Sequence, residues 1–215
     1  VSAIWPLFEM RVQTPRLELR CIDDELGERL ADLAARGIHD PATMPFALPW
    51  TDVEPPQLQR NTVQFYWHCR ATWSPEEWHL PMAVLVDGEV VGSTGLTATS
   101  FPVLREFETG SWLGRAHQGR GIGTEMRRAT LHLGFAGLGA LAARTGAFTD
   151  NPASLGVTRR LGYEPVGRRS RVRRGEPAET LEFRMTRERW EATVRRDDVV
   201  LHGVEPCLEL FGLDG

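Results

Sequence analysis

From residue 14 the chain alternates. Leu17, Leu19 and Cys21 fall on one side of an extended segment and Arg16, Glu18 and Arg20 on the other, which predicts a half-buried strand. Asp23 or Asp24 then stands where a helix N-cap belongs. Leu26, Leu30 and Leu33 recur at helical spacing, so a helix is predicted to about residue 36. The next stretch, GIHDPATMPFALPW, has too much proline and aromatic character for a regular element and too much apolar character for a solvent linker. It reads as a substrate-facing lid or as a loop packed onto the core. A second helix is predicted over residues 56–71, carrying Phe65, Tyr66 and Trp67. After it come LPMAVLVDGEVVGSTGLTAT and FETGSWLG, with Asp87-Gly88 as a hairpin turn between runs 82–86 and 89–97. These segments predict three successive antiparallel strands, the third ending near Leu113.

The texture changes at HQGRGIGTEMRRATLHLGFAGLG. Met126, Thr130, Leu133 and Leu138 allow a helix that begins around the glycines, despite the propensity cost of Gly134 and Gly137. LAARTGAFTD reads as a strand and ASLGVTRRLG as a short helix closed at Gly162. A basic ribbon follows from Tyr163, with its return strand at about 179–185. The order is strand, two helices, three strands, helix, strand, helix, two strands, which predicts an α/β or α+β mixed sheet rather than a helical bundle. The predicted domain spans residues 1–190. Residues 191–215 form an extension in which Val199-Val200-Leu201 and the run 207–211 are apolar for a free tail. That extension either packs back onto its own domain or, with the exposed seventh strand, serves a homodimer.

Composition narrows the picture. The 215 residues, 41% of them apolar, support one well-buried core. The formal net charge is -4, and every basic side chain is an arginine because the chain has no lysine. Nucleic-acid binding is therefore not expected, and neither a lysine Schiff base nor internal lysine acylation is available. Cys21, Cys69 and Cys207 are widely spaced, odd in number and form no CxxC pair, which argues against a disulfide framework or structural zinc and for a reducing, cytoplasmic setting. The opening VSAIWPLFEMR does not read as a signal peptide, and no window offers the roughly 20 apolar residues of a membrane span. No metal is expected.

The chemistry concentrates in QGRGIG, between strand-like ETGSWL and helix-like TEMRRATLHLGF. Gly119, Gly121 and Gly123 allow backbone N–H groups to approach a diphosphate without Cβ obstruction. The first turn of the following helix adds unpaired donors and the positive end of its dipole. A Walker A loop is excluded by spacing and by the missing lysine. The GxGxG spacing and the absent ribose-binding acid weaken a dinucleotide assignment.

Here the chain resembles the GNAT superfamily, especially its RimJ/RimL-like branch. The QxxGxG signature is met by Gln118, Gly121 and Gly123, with Thr124 and Glu125 opening the helix. A second signature, TDNPASLGVTRRLGY, follows at 149–163, and the resemblance covers approximately 14–186. It implies a GNAT-like fold and a donor of the acyl-coenzyme A class, acetyl-CoA by default. On that resemblance the main chain of Trp112 and Leu113 aligns the pantetheine arm. Gln118, Gly119, Arg120, Gly121, Ile122, Gly123 and Thr124 cradle the pyrophosphate, and Asn151 and Ser154 lie beside the pantetheine or departing thiol. Asn151 before Pro152 is equally a helix-cap residue.

An amine must be uncharged to attack a thioester. Glu108, on the strand leading into Trp112, stands at the position where many RimJ/RimL-like members carry a glutamate near the acceptor, and is the expected direct or water-mediated base. His117 and His39 are weaker alternatives, and His68 and His79 are read as packing residues. Family members with a tyrosine acid place it seven residues after the helix-opening asparagine. Thr158 stands there in this chain, so Ser154 is the catalytic hydroxyl expected to donate to the sulfur, directly or through water. The thiolate is itself a tolerable leaving group, so an enzyme could also work mainly by positioning. The cysteines form no Cys-His constellation for an acyl-enzyme.

The acceptor is expected to be a peptide N-terminal or small-molecule primary amine. HDPATMPF followed by LPW resembles a subgroup of actinobacterial GNAT proteins for which larger donors, including succinyl-CoA, have been considered. In the ribbon RRSRVRRG, Arg171 and Arg173 are expected to share a face that could meet a carboxylated acyl group, against the alternative of a solvated hairpin. A noncatalytic acyl-CoA sensor, motivated by Thr158, is the reading from a different functional class.

Overall fold

The computed structural model describes residues 4–213. In chain order the elements are β1 (Arg11–Gln13), β2 (Glu18–Cys21), α1 (Asp24–Ala35), α2 (Gln57–Ala71), β3 (Glu77–Val86), β4 (Glu89–Thr99), α3 (Phe101–Leu104) and β5 (Glu106–Leu113). They continue with α4 (Ile122–His132), β6 (Ala142–Phe148), α5 (Pro152–Arg160), β7 (Glu164–Arg173), β8 (Glu176–Thr186), α6 (Arg187–Thr193) and β9 (Val200–His202). All the strands join one sheet in the order β7-β8-β6-β5-β4-β3-β2-β1-β9. This is the mixed α/β architecture that the alternating and helical patterns predict.

Local chemistry accounts for the elements. Asp23 caps α1 by accepting from the Leu26 amide at 2.9 Å. Asp87 and Gly88 both take positive φ, 48° and 79°, in the two-residue turn joining β3 to β4. Arg174 and Gly175 do the same at 51° and 81°. They close the β7–β8 hairpin earlier than expected, so β8 begins at Glu176 rather than near 179.

Three differences from the sequence reading have physical causes. β3 starts at Glu77 because Trp78, Leu80 and Met82 alternate inward through Pro81, a residue that normally argues against strand interior. β1 and β9 are three residues each, β9 pairing with β1 and β1 also with β2, which is too little alternation to read locally. The 3-10 segment Glu205–Phe211 then buries Cys207 and Phe211, the latter edge-on to Trp73 and Trp78.

The sheet separates two apolar layers. Leu26, Leu30, Leu33 and Tyr66 of α1 and α2 pack on Ala83, Leu85 and Val90 with Trp112 at their edge. The larger layer lies under α4, α6 and the C-terminal segment, where Phe135 and Trp190 stack at 5.1 Å. One incomplete pairing opens the sheet between these layers. β5 pairs antiparallel with β4 from Glu108 through Leu113, and β6 pairs with β8 along its whole length. Yet β5 and β6, parallel to each other, pair only at 106–108 with 142–144. Beyond Glu108 and Arg144 the two strands part, each following its other neighbour.

α4 passes into a wide-turned π segment, Leu133–Gly137, and Gly134 there lies flat on the Phe107 ring. A Cβ at Gly134 would stand 2.2 Å from a ring carbon. Gly134→Ala is therefore expected to cost about 1–3 kcal/mol through overpacking, read as a lowered Tm by calorimetry. An unchanged Tm would show that the helix–sheet contact at Phe107 yields freely to an added methyl group.

Candidate active site

The mouth of the parting is built by the chain that links β5 to α4. After Leu113 the backbone passes through a single 3-10 turn, Arg115–His117, and reaches Gly119 and Gly121 at φ 74° and 79°. Any side chain at these two positions would strain the backbone. Among the described residues, the amides of Gly119, Arg120, Gly121, Ile122 and Gly123 donate to no main-chain acceptor, while those of Thr124 and Glu125 return to the Gly121 carbonyl. Five consecutive free donors at a helix N-terminus form a cradle for an anion with several oxygens. A Cβ at Gly119 would meet nothing within 4 Å, so the cradle's outer side is open. Arg16 lies beside it, paired with Glu125 and donating to the Arg120 carbonyl at 3.4 Å.

Gln118 has a different part. Its amide nitrogen donates to the carbonyls of Leu113, at 2.9 Å, and Ile38, at 2.7 Å, so the side chain ties the end of β5 to the loop after α1. Thr124 is buried and accepts from Arg160 at 3.4 Å, linking α4 to α5. Trp112 and Leu113 lie on the stretch of β5 that keeps β4 on one side and has lost β6 on the other, which leaves an unpaired main-chain edge facing the parting. Asn151 caps α5, its Oδ1 accepting from the Ser154 amide at 3.0 Å. The Ser154 hydroxyl makes no hydrogen bond among the described residues. Thr158 is 1% exposed, and its hydroxyl has no hydrogen-bond partner among the described residues.

Glu108 stands at the last paired position, on the face opposite α4. The register sets His79, Thr97, Glu108, Arg144 and Arg184 in one row across five strands. Arg144 and Arg184 are both committed to Glu106, at 2.7 and 3.0 Å, and Glu108 is exposed and forms no ion pair among the described residues. His79, two strands away and edge-on to Phe65 at 5.3 Å, is pushed down to about 4 by burial and is neutral at physiological pH. His117 packs by the glycine loop, 3.9 Å from Glu89, away from Glu108.

The proline-aromatic loop closes over this face. His39, Phe46, Trp50 and Trp112 form a file of rings with centroid separations of 5.7, 5.3 and 5.9 Å. Two arginines of the β7–β8 hairpin hold it. Arg174 grips Asp52 with both prongs, at 2.7 and 2.6 Å, and reaches the Pro41 carbonyl. Arg173 grips Asp150 at 2.9 and 2.7 Å, donates to the Met44 carbonyl and lies 4.3 Å over the Phe148 ring. Two further ribbon arginines are acid-paired, Arg168 with Glu179 at 2.7 Å and Arg171 with Glu182 at 3.9 Å, while Arg169 is exposed and forms no ion pair among the described residues. The shared face of Arg171 and Arg173 is thus turned to protein carboxylates. Sequence reasoning missed the clamp because Asp52 and Arg174 are 122 residues apart. It also passed over Arg127, although that arginine falls on the buried stripe of α4, next to Met126 and four residues before Leu131.

A mixed sheet whose central parallel strands part beside a helix-capping amide cradle defines the acyltransferase class of fold. Residues 16–164 match a family profile described as "Acetyltransferase (GNAT) domain", and the chain belongs to that family. Solved structures agree on the fold. A GCN5-related N-acetyltransferase from Brucella melitensis is 20% identical with a TM-score of 0.67, over 85% of this chain and 80% of that one. RimJ from Mycobacterium smegmatis, in complex with CoA-disulfide, is 16% identical at 0.66, over 87% and 95%. RimL, the ribosomal L7/L12 alpha-N-protein acetyltransferase, in complex with coenzyme A, is 18% identical at 0.65, over 80% and 95%. No helix among the described residues is long and apolar enough to cross a membrane.

The clamp carries a test. The Arg174 guanidinium holds the Asp52 carboxyl below its ordinary value, and Arg173 does the same for Asp150. Depressed carboxylate values mean that the clamp is complete above the ordinary value of 3.8 and is lost as pH falls through the lowered ones. Arg174→Ala and Asp52→Ala are expected to speed chymotryptic cleavage after Phe46 or Trp50 at neutral pH. Because the pair is exposed, Tm should move by no more than about 1–3 °C. Wild type should gain the same sensitivity in strong salt. Cleavage rates equal to wild type would show that the loop is held by its rings alone.

Proposed function

We propose that this chain is an acyl-CoA-dependent N-acyltransferase of the RimJ/RimL-like branch. Its reaction transfers acetyl by default to a peptide N-terminal or small-molecule primary amine. The observation that carries this reading is the adjacency of two features: five free amides at the head of α4, and the open main-chain edge of β5 leading to Glu108. The first suits a diphosphate and the second an amide-bearing arm, and an acyl-CoA has both in that order. The coenzyme A bound in the RimL and RimJ structures supports the donor class.

In this reading residues 118–124 form the pyrophosphate site, Gln118 by shaping the turn rather than by contact. Trp112 and Leu113 present the main chain that orients the arm. Asn151 and Ser154 stand at the head of α5 beside it. Glu108, exposed at the last β5–β6 pair and without an ion pair among the described residues, takes the proton released when the amine attacks, directly or through water. Thr158 supplies no tyrosine acid, so the leaving sulfur depends on other groups. The open edge of β7 is the surface proposed for a homodimer, since the apolar tail is occupied within its own chain. A cytoplasmic setting is proposed from the three free cysteines. The sensor reading rests on Thr158 alone, and thiol release with a panel of amines separates it from the enzyme.

Coenzyme A at 100 times its Kd is expected to add about 2.7 kcal/mol of stability, seen as a raised Tm. Gly121→Val should fold yet lose most of that protection, because its φ of 79° is strained for a branched residue. Equal protection of both proteins would remove the cradle. For the chemistry, Glu108→Gln should lower kcat by about 100-fold or more with little change in donor affinity. Initial rates over both substrates and across pH would reject Glu108 as base if maximal rate and pH profile stay unchanged.

A further inference from the structure

Arg127 is 4% exposed on the core side of α4, and its charge has no acid partner among the described residues. One terminal nitrogen donates to the hydroxyls of Thr109, at 2.7 Å, and Thr145, at 2.9 Å. The other reaches Ser111 at 3.5 Å, and Nε has no hydrogen-bond partner among the described residues. Thr109 also lies 3.4 Å from the Tyr163 hydroxyl. A buried guanidinium met only by neutral oxygens is expensive, and an apolar residue of similar length would serve packing better.

Its place in the fold says what the charge is for. Thr109 and Thr145 are the first residues beyond the last β5–β6 pair, Glu108 with Arg144. Their hydroxyls close the apex of the parting, Thr145 donating to the Thr109 carbonyl at 3.1 Å. Arg127 sits on that apex, five residues along α4 from Ile122, or about 8 Å from the amide cradle. The pyrophosphate held at the cradle is therefore not its partner. A donor laid along the parting brings its reacting end toward the apex.

Resting on the acyl-CoA reading, we propose that Arg127 is a buried counter-ion for negative charge at the reacting end of the donor. That charge has two sources. One is the terminal carboxylate of a dicarboxylic acyl chain. The other is the sulfur itself: as the amine nitrogen bonds to the thioester carbon, the C–S bond breaks, its electron pair stays on sulfur as thiolate, and the proton leaves nitrogen for Glu108 or water. The first makes Arg127 a specificity determinant. The second lets it do by charge what a tyrosine acid would do by proton transfer at the position of Thr158.

The test compares wild type with Arg127→Met, which keeps length and removes charge. Two arms read the sources: kcat/KM for succinyl-CoA over its uncharged counterpart butyryl-CoA, and the thiol titration of bound coenzyme A followed by thiolate absorbance. Wild type should favour succinyl-CoA by at least about 10-fold, or lower the bound thiol's titration by about one pH unit or more, with the effect abolished in Arg127→Met. The variant should also be as stable as wild type or more so without ligand. A lower Tm with both readouts unchanged would make Arg127 a strut for Thr109 and Thr145 and overturn the proposal. So would a wild type showing neither effect, a result that stands even if the variant fails to fold. Desulfo-coenzyme A, which lacks the sulfur, should protect both proteins equally. Its failure to protect wild type would sink the acyl-CoA reading itself.

Discussion

The position of every candidate group follows from how two strands divide their hydrogen bonds. β5 has β4 along nearly all its length and β6 has β8, so their own parallel pairing is confined to three residues at the start of each. A strand edge left unpaired inside a sheet is normally a liability, because buried N–H and C=O groups need partners. Here the liability sits beside a helix N-terminus with its own free amides, and the two sets of donors and acceptors line one path. α4 can lie close under the parting because glycine at 134 admits the Phe107 ring and glycines at 119 and 121 turn the chain sharply into the helix. The packing that fixes α4 thus also fixes the distance from the cradle to Glu108 and Arg127.

Much of this was legible in the sequence, and the legible part has a common character. The alternation in 17–21, the capped helix at Asp23, the Asp-Gly hairpin and the glycine turn before α4 are local, and each is settled by a few adjacent residues. The GNAT resemblance rested on two such local signatures, and the family assignment agrees with it. The roles of individual residues were less legible because they depend on partners far along the chain. Gln118 reads as a phosphate-loop residue, yet its amide is spent on Leu113 and Ile38, and nothing in QGRGIG announces Ile38. Asn151 had two local readings, ligand contact and cap. The cap is what the geometry displays, with its amide nitrogen uncommitted among the described residues.

The basic ribbon shows the same limit from the other side. Seven residues with five arginines look like an anion-binding surface, and alternation alone puts Arg171 and Arg173 together. What alternation cannot supply is the acids they meet: Glu182 on the return strand, Asp150 before α5, and Asp52 in the loop after α1. Once those are in place the ribbon becomes a clamp on the aromatic loop, and four of its five arginines are spent on acids, leaving Arg169 to solvent. The candidate for a buried positive charge without an acid moves to α4, where Arg127 is one of two adjacent arginines and only its place on the buried stripe sets it apart.

A chain with no lysine makes this division of labour easier to understand. The clamp requires side chains that present two parallel donors to a carboxylate and still reach a carbonyl, which Arg173 and Arg174 do with the same planar group. At the apex the requirement is different: a charge that can stay buried on neutral hydroxyls while one edge remains free. An ammonium there would be desolvated at a point and would tend to lose its proton. The guanidinium spreads its charge over three nitrogens, spends two of them on Thr109, Thr145 and Ser111, and keeps its Nε free. Hydroxyls of the parting strands can therefore hold Arg127 in place without neutralising it, so that its charge is left for a group that enters between β5 and β6.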